Sequence, residues 1–441
     1  MEPPDVTILR RDEGERQQLT PASIPGSTTS VDRREQMTGG RWMVRGRVVT
    51  SGTVVDDGWV VVDGDRIAAV GRGAGPDEAV LVDLGHAVVA PGFVDLHVHG
   101  GGGRQVAGET PDEVADAVEH LSRHHLAHGT TSLVPTTVSD TPERVMAAVL
   151  GVARAAANRR PGAATVLGAH LEGPWLAPSR AGAHVPGRLR LPDGDELAAL
   201  VAAAPGVVRI VTFAPELAGA AGLLAVGLAS GVVMSVGHTE ADADTTAAAF
   251  AAGARHVTHL GNAMPGIDRR APGPMAAALA DSRVTLEVIA DGIHVHPRFL
   301  SLLGAVAPDR LVAVTDATAA CGMPPGSYRL GVAEVVVDAE RVVLADRPGT
   351  LAGSVLTMDR AVATLVAAGV DLATAVTAAT ATPAGVVSAA GKGHLRPGAD
   401  ADLVVLGDDL VARATVAGGV VASDPDRLLA AVGAGHGRGA A

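Results

Sequence analysis

Residues 93–99 read FVDLHVH, and the rest of the chain falls into place around them. An apolar run of strand length ends in two histidines. His97 and His99 stand two apart, so in an extended backbone both project to one side. The same beat then recurs. Strands are expected at residues 93–99, 131–135, 166–171, 208–213, 232–237, 256–260, 285–290 and 311–315. Helical patterns intervene at 111–128, 142–159, 193–204, 216–229, 240–252, 273–280 and 297–305. Asp, Ser, Thr or Pro stands near several helix starts and Gly near several ends. Eight such beats in order predict an α/β fold, a (β/α)8 barrel of the TIM type.

The residues that close each strand carry the chemistry. After His97 and His99, the third strand runs into GAHLEGPWL with His170 and Glu172, and the fifth into SVGHTEAD with His238. The sixth is HVTHLGNAM, bearing His256, His259 and Asn262. The seventh reaches ADGIHVHP with Asp291, His294 and His296, and the eighth VTDAT with Asp316. In such a barrel the carboxyl ends of the strands converge on the active-site face. Imidazoles and carboxylates gathered there are the ligand set of a divalent metal. His170 and Glu172 share a strand face, so either can be the ligand and the other its support. Asp316 can accept a proton from water and return it to a leaving group. His256 lies at odd separation from His259 and is expected to face away and pack, while His296, directly before Pro297, reads as peripheral.

Composition excludes other classes. A formal charge of −13 and a pI near 5.6 argue against nucleic acid or an anionic membrane as partner. The sole cysteine, Cys321, can form no internal disulfide and no cysteine-rich metal site. Lys392 is the sole lysine, so 34 of the 35 basic residues are arginine. No apolar core opens the first twenty residues, so no secretory signal is read and a cytoplasmic location is expected. Residues 217–236 carry no charge, yet the Ser230-Gly231 breaker followed by VVMSV predicts helix, turn and buried strand rather than a membrane span.

Residues 1–40 are polar and read as a flexible extension. Short strand patterns separated by Gly/Asp turns fill 41–90 and return over 391–432, predicting one small β-sandwich domain built from both ends of the chain. The barrel, 91–390, is inserted between them, with a hairpin near 328–343 and short helices over 354–389.

The ordered motifs HLEGPWLAPSRAGAHVP, SVGHTEADAD, THLGNAMPGIDRRAPG, ADGIHVHP, TDATAACG and LAGS, with the closing GHLRPGADADLVVL, resemble the amidohydrolase superfamily. Within it they are similar to the N-acetylglucosamine-6-phosphate deacetylase family, over residues 42 to about 425. The resemblance implies hydrolysis of the acetamide of a phosphorylated amino sugar. It implies metal ligation by Glu172, His238 and His259, with Asp316 as base and acid and His294 hydrogen-bonding the sugar or the acetyl carbonyl. Substrate contacts are implied for Ala183, His184, Asn262, Ala263, Asp291, His294, Leu351, Ala352 and Gly353. Arg270 is implied to reach the phosphate in a neighbouring subunit's site, hence a homodimer, with Arg269 as its backup. One or two ions per subunit, Zn, Fe, Mn or Co, are compatible: His97 and His99 make a second position chemically available. Because Lys392 lies outside the barrel, no carboxylated lysine can bridge two ions, and a bridge must come from Glu172 or solvent. The alternatives are another metal-dependent amidohydrolase, acting on a cyclic amide, an N-acyl amino acid or a deaminase substrate, and an inactive barrel scaffold.

Overall fold

The computed structural model describes residues 41–434 apart from 51, 78, 79, 159 and 339, so the expected extension at 1–40 lies outside the described residues. Eight parallel strands form the central sheet in the order of the chain: Phe93–Val98, Thr130–Thr137, Ala169–Glu172, Val208–Phe213, Val233–Val236, His256–Val257, Thr285–Ile289 and Leu311–Val314. The ring closes at its mouth, where the His97 carbonyl accepts from Asp316 N (2.8 Å) and the Ala317 carbonyl from His99 N (2.9 Å). Closure is therefore made by the backbone of the residues that carry the chemistry.

The uncharged stretch behaves as expected: helix Ala220–Ala229 and strand Val233–Val236, with no described helix long and apolar enough to cross a membrane. The third strand differs. The expected 166–171 splits into Thr165–Val166 and Ala169–Glu172 around Gly168, at φ 140°, where an added Cβ would meet the Val207 carbonyl oxygen at 2.3 Å. A left-handed backbone at this close approach interrupts the ladder.

The small domain is one seven-stranded sheet that takes Trp42–Thr50, Thr53–Asp63, Arg66–Arg72 and Val80–Pro91 from the start and Leu403–Leu406, Ala412–Ala417 and Val420–Ser423 from the end. The two ends meet where Leu403 to Leu406 pair antiparallel with Val88 to Pro91. Side-chain alternation gives the sheet two jobs. Val89, Leu403 and Val405 enter its own core with Trp42 and Val60, while Val88, Ala90, Val404 and Leu406 join the barrel core.

Helix Pro111–Leu126 opens with a Thr110–Glu113 capping box and braces the loop after the first barrel strand. His125 Nε2 donates to the Gly100 carbonyl at 2.8 Å and His120 Nε2 to that of Gly102 at 2.9 Å, while His124 Nε2 lies 3.4 Å from Cys321 Sγ. Burial pushes His125 down to about 3 and His124 to about 4, so both are neutral in the folded chain at pH 7. The unfolded chain protonates them near pH 6.5. It then binds more protons than the native state, so their contribution is fully present above that value and is lost as pH falls toward 4. Thermal unfolding is expected to move to lower temperature over that interval. A His125→Gln variant should shallow the pH slope by about one proton, and a slope unchanged in that variant contradicts the assignment.

Candidate metal centre

The strand ends open into a cavity of about 410 Å³ roofed by the Ser179–Val185 loop and by residues 349–353. At its floor stand His238 (φ 47°), His259 (φ 30°) and Asp316 (φ 49°), each in the left-handed region beyond its strand. Non-glycine residues adopt this backbone at some cost, and such positions cluster where function needs a side chain re-aimed.

Two groups of side chains face each other across one carboxylate. Glu172 Oε1 lies 3.1 Å from His238 Nε2 and 2.9 Å from His259 Nε2, which are 3.0 Å apart. Its Oε2 lies 3.2 Å from His99 Nε2, and His97 and His99 bring their Nε2 atoms to 3.1 Å. Asp316 Oδ1 belongs with this second group, 3.2 Å from His99 Nε2 and 3.5 Å from His97 Nε2.

The outer hydrogen bonds decide which nitrogens are free. His99 Nδ1 donates to the Thr136 carbonyl (3.0 Å), His238 Nδ1 to that of Arg180 (2.7 Å) and His97 Nδ1 to Glu287 Oε1 (2.8 Å). In the neutral rings each Nε2 is then a bare lone pair. Two lone pairs meeting at about 3 Å, buried beside carboxylates, need a cation between them, so the donor set fits a divalent metal. His184 is different. Its Nδ1 accepts from Ser139 N at 3.1 Å, so Nε2 carries the proton and donates to Glu172 Oε2 at 3.1 Å. Geometry groups it with Glu172 and His238, but its tautomer makes it an anchor of the carboxylate rather than a ligand.

Electrostatics say the same. Burial opposes charge on His97 and His99, yet Glu172, Glu287 and Asp316 hold His97 well above the ordinary range, and Asp316 with Glu172 raises His99 to about 9. Burial opposes ionisation of Glu172, yet His97, His238 and His184 keep it well below the carboxylate range. The centre demands positive charge.

The other residues singled out in the sequence divide. Ala183, His184, Asn262, Ala263, His294, Leu351 and Gly353 line the cavity. Asp291 stands behind, accepting from Ile293 N (2.8 Å), His294 N (2.8 Å) and His294 Nδ1 (2.6 Å), and so orients His294. Ala352 is buried beneath the lining. Gly353, at φ 62°, passes so close that a Cβ would lie 2.8 Å from the Asp316 carbonyl oxygen, and Ser354 N donates to that oxygen at 2.8 Å. The LAGS motif thus braces Asp316. Arg269 and Arg270 are exposed on the loop before helix Gly273–Ala280, outside the lining.

His170 and Glu172 separate by depth. Glu172 reaches the centre, whereas His170 sits beneath, bonded to the Leu96 carbonyl (3.1 Å) and Thr212 Oγ1 (2.7 Å), and burial lowers it to about 3. His256 is buried as expected but holds Glu287, and His296 caps helix Pro297–Val306. Sequence reading missed Glu287 and Arg180. Nothing but its charge inside the apolar run TLEVI marked Glu287.

Residues 88–427 match the amidohydrolase family. The N-acetylgalactosamine-6-phosphate deacetylase of Escherichia coli O157:H7 is 39% identical over 325 residues, 73% of this chain and 84% of that protein. The Bos taurus N-acetylglucosamine-6-phosphate deacetylase is 38% identical over 346 residues, 76% and 84% of the two chains. A mutant N-acetyl-D-glucosamine-6-phosphate deacetylase from Mycobacterium smegmatis, solved in complex with N-acetyl-D-glucosamine-6-phosphate, superposes with a TM-score of 0.82 at 42% identity, covering 87% of this chain and all of that one. With its barrel, its histidine–carboxylate centre and a match spanning both, this chain belongs to the amidohydrolase family, in the branch its deacetylase relatives occupy.

Proposed function

We propose that the chain hydrolyses N-acetyl-D-glucosamine 6-phosphate to D-glucosamine 6-phosphate and acetate. The observation that carries this reading is the convergence of four imidazole Nε2 atoms and Asp316 around Glu172, in a chain 42% identical to a deacetylase solved with that sugar phosphate. Glu172, His238 and His259 would hold one ion, and His97, His99 and Asp316 a second, with Glu172 shared. When bound, a divalent ion supplies Lewis-acid chemistry, lowering the pKa of water at the site and polarising an amide carbonyl. Asp316 takes the proton of the attacking water at its carboxylate. His294, its Nδ1 donating to Asp291, presents Nε2 to the substrate; as an imidazolium it would donate to the acetyl oxygen as negative charge develops there. The same Asp316 then returns the proton to the amide nitrogen, so that an amine leaves rather than an amide anion.

The phosphate needs a positive partner. Among the lining residues the sole guanidinium is Arg180, and Glu240 already holds it, with Nη2 2.9 Å from Oε1. The free cation is assigned to Arg270, delivered by the exposed loop of a second subunit in a homodimer. Arg270→Ala should then raise KM for the phosphorylated sugar roughly 10–100-fold, since a hydrogen bond to a charged group contributes about 1.5–3 kcal/mol. Hydrolysis of free N-acetylglucosamine should be unaffected, and equal losses on both substrates contradict the assignment. A cytoplasmic location suits an enzyme of phosphorylated sugars with a single cysteine.

A second reading, N-acetylgalactosamine 6-phosphate as preferred substrate, is favoured by the 39% identical Escherichia coli relative. Comparing kcat/KM for the two sugar phosphates and for free N-acetylglucosamine tests both. The proposal expects the glucosamine epimer to lead. A higher value for the galactosamine epimer moves the assignment to the second reading, and a higher value for the free sugar overturns both.

A further inference from the structure

Glu287, fully buried in the middle of barrel strand Thr285–Ile289, touches the metal centre from behind. Its Oε1 accepts from His97 Nδ1 (2.8 Å) and from the backbone N of His259 (3.1 Å), and its Oε2 from His256 Nε2 (3.0 Å). One carboxylate thus ties the first strand to the sixth. Among the described residues no lysine or arginine bonds to its carboxylate, whose partners are N–H groups of histidines. A buried carboxylate with no permanent cation is costly unless positive charge stands nearby. Such a charge can stand just beyond the His97 ring, where Nε2 faces His99 Nε2 at 3.1 Å.

We propose that Glu287 is the positioning residue that turns His97 and His99 into a metal-binding position. It fixes His97 as the Nδ1–H tautomer, aims the Nε2 lone pair at the point His99 also faces, and places a counter-charge behind that ring. Its bond from the His259 backbone N is one that a glutamine oxygen can keep. This rests on the two-ion reading above. An ionised carboxylate behind an imidazole raises the basicity of its far nitrogen, and losing such a partner weakens metal binding by about 10–100-fold.

The test measures metal rather than turnover. The full chain, stripped and reloaded with Zn²⁺, is assayed for ions per subunit and titrated with a competing chelator, alongside Glu287→Gln and His256→Gln. Unaltered protein should hold two ions. Glu287→Gln should weaken one of them by about 10–100-fold and leave the other near its original affinity. His256→Gln, which loosens the same carboxylate from the far side, should keep both. In a His97→Asn background, Glu287→Gln should add no further loss. If Glu287→Gln fails to fold, Glu287→Asp, one methylene shorter, should weaken the same ion. Two ions held at unchanged affinity by a folded Glu287 variant overturns the inference and leaves the two-ion reading standing. Equal weakening by His256→Gln reduces Glu287 to a general packing role and also overturns it. A single ion in the unaltered protein overturns the two-ion reading and this inference together.

Discussion

Asp316→Asn is expected to lower kcat by about 10²–10⁴-fold, the usual range for a positioned acid–base group, in a protein that still folds. The carboxamide keeps the shape of the side chain but can neither take a proton from water nor return one to the leaving nitrogen. Burial would raise the Asp316 carboxyl, yet His97 and the hydrogen bond from His99 outweigh burial and hold it below its ordinary value. It is therefore ionised at neutral pH and competent as a base. The backbone supports the same role: its carbonyl oxygen accepts from Ser354 N and its own N donates to the His97 carbonyl, both at 2.8 Å, so Asn can occupy the place without local collapse. Acetate release under saturating substrate measures the loss. A kcat within about threefold of the unaltered enzyme, well under the range for such a group, would remove Asp316 from the mechanism.

Glu172→Gln is expected to be as damaging for a different reason. The carboxylate stands within 3.5 Å of the Nε2 atoms of His97, His99, His184, His238 and His259. Removing its charge leaves the Nε2 atoms of His97, His99, His238 and His259 without the anion that binds them into one centre. Metal content should fall below that of the unaltered protein for both ions. Activity should fall on the order of 10³-fold, because Lewis-acid stabilisation is worth several kcal/mol. His184, which donates to this carboxylate, provides the contrast. His184→Gln keeps a donor in the same place and should retain metal while raising KM. Elemental analysis of both variants separates loss of the ion from loss of its support, and full metal retention by Glu172→Gln contradicts the bridging assignment.

Much of this centre was legible because strand periodicity is strict. His97 and His99 lie two apart and do meet at one point, and Asp316, His238 and His259 all stand at the ends of predicted strands. Parity gives the side of a strand but not the depth along the barrel axis. That is why His170 and Glu172 could not be told apart: one residue pair carries a carboxylate at the mouth and a packed, neutral imidazole a layer below. Glu287 escaped because its environment is assembled from strands 28 and more residues away, and a lone acid in an apolar run carries no local signal. His184 illustrates a further limit. Its place in the cavity follows from its motif, but its role follows from Ser139 N, whose hydrogen bond sets the tautomer. In the small sheet, turn residues announced the strands. Parallel pairing of Trp42–Thr50 with Val80–Pro91 has no such mark, since it depends on what lies between them in space.

The most direct test is acetate release from N-acetyl-D-glucosamine 6-phosphate by the purified chain at known metal content. Glucosamine 6-phosphate and acetate should appear in equal amounts, stop when a chelator strips the protein, and resume when a divalent ion is restored. Metal-loaded, folded protein that releases no acetate from any N-acetylhexosamine 6-phosphate would contradict the account at its centre.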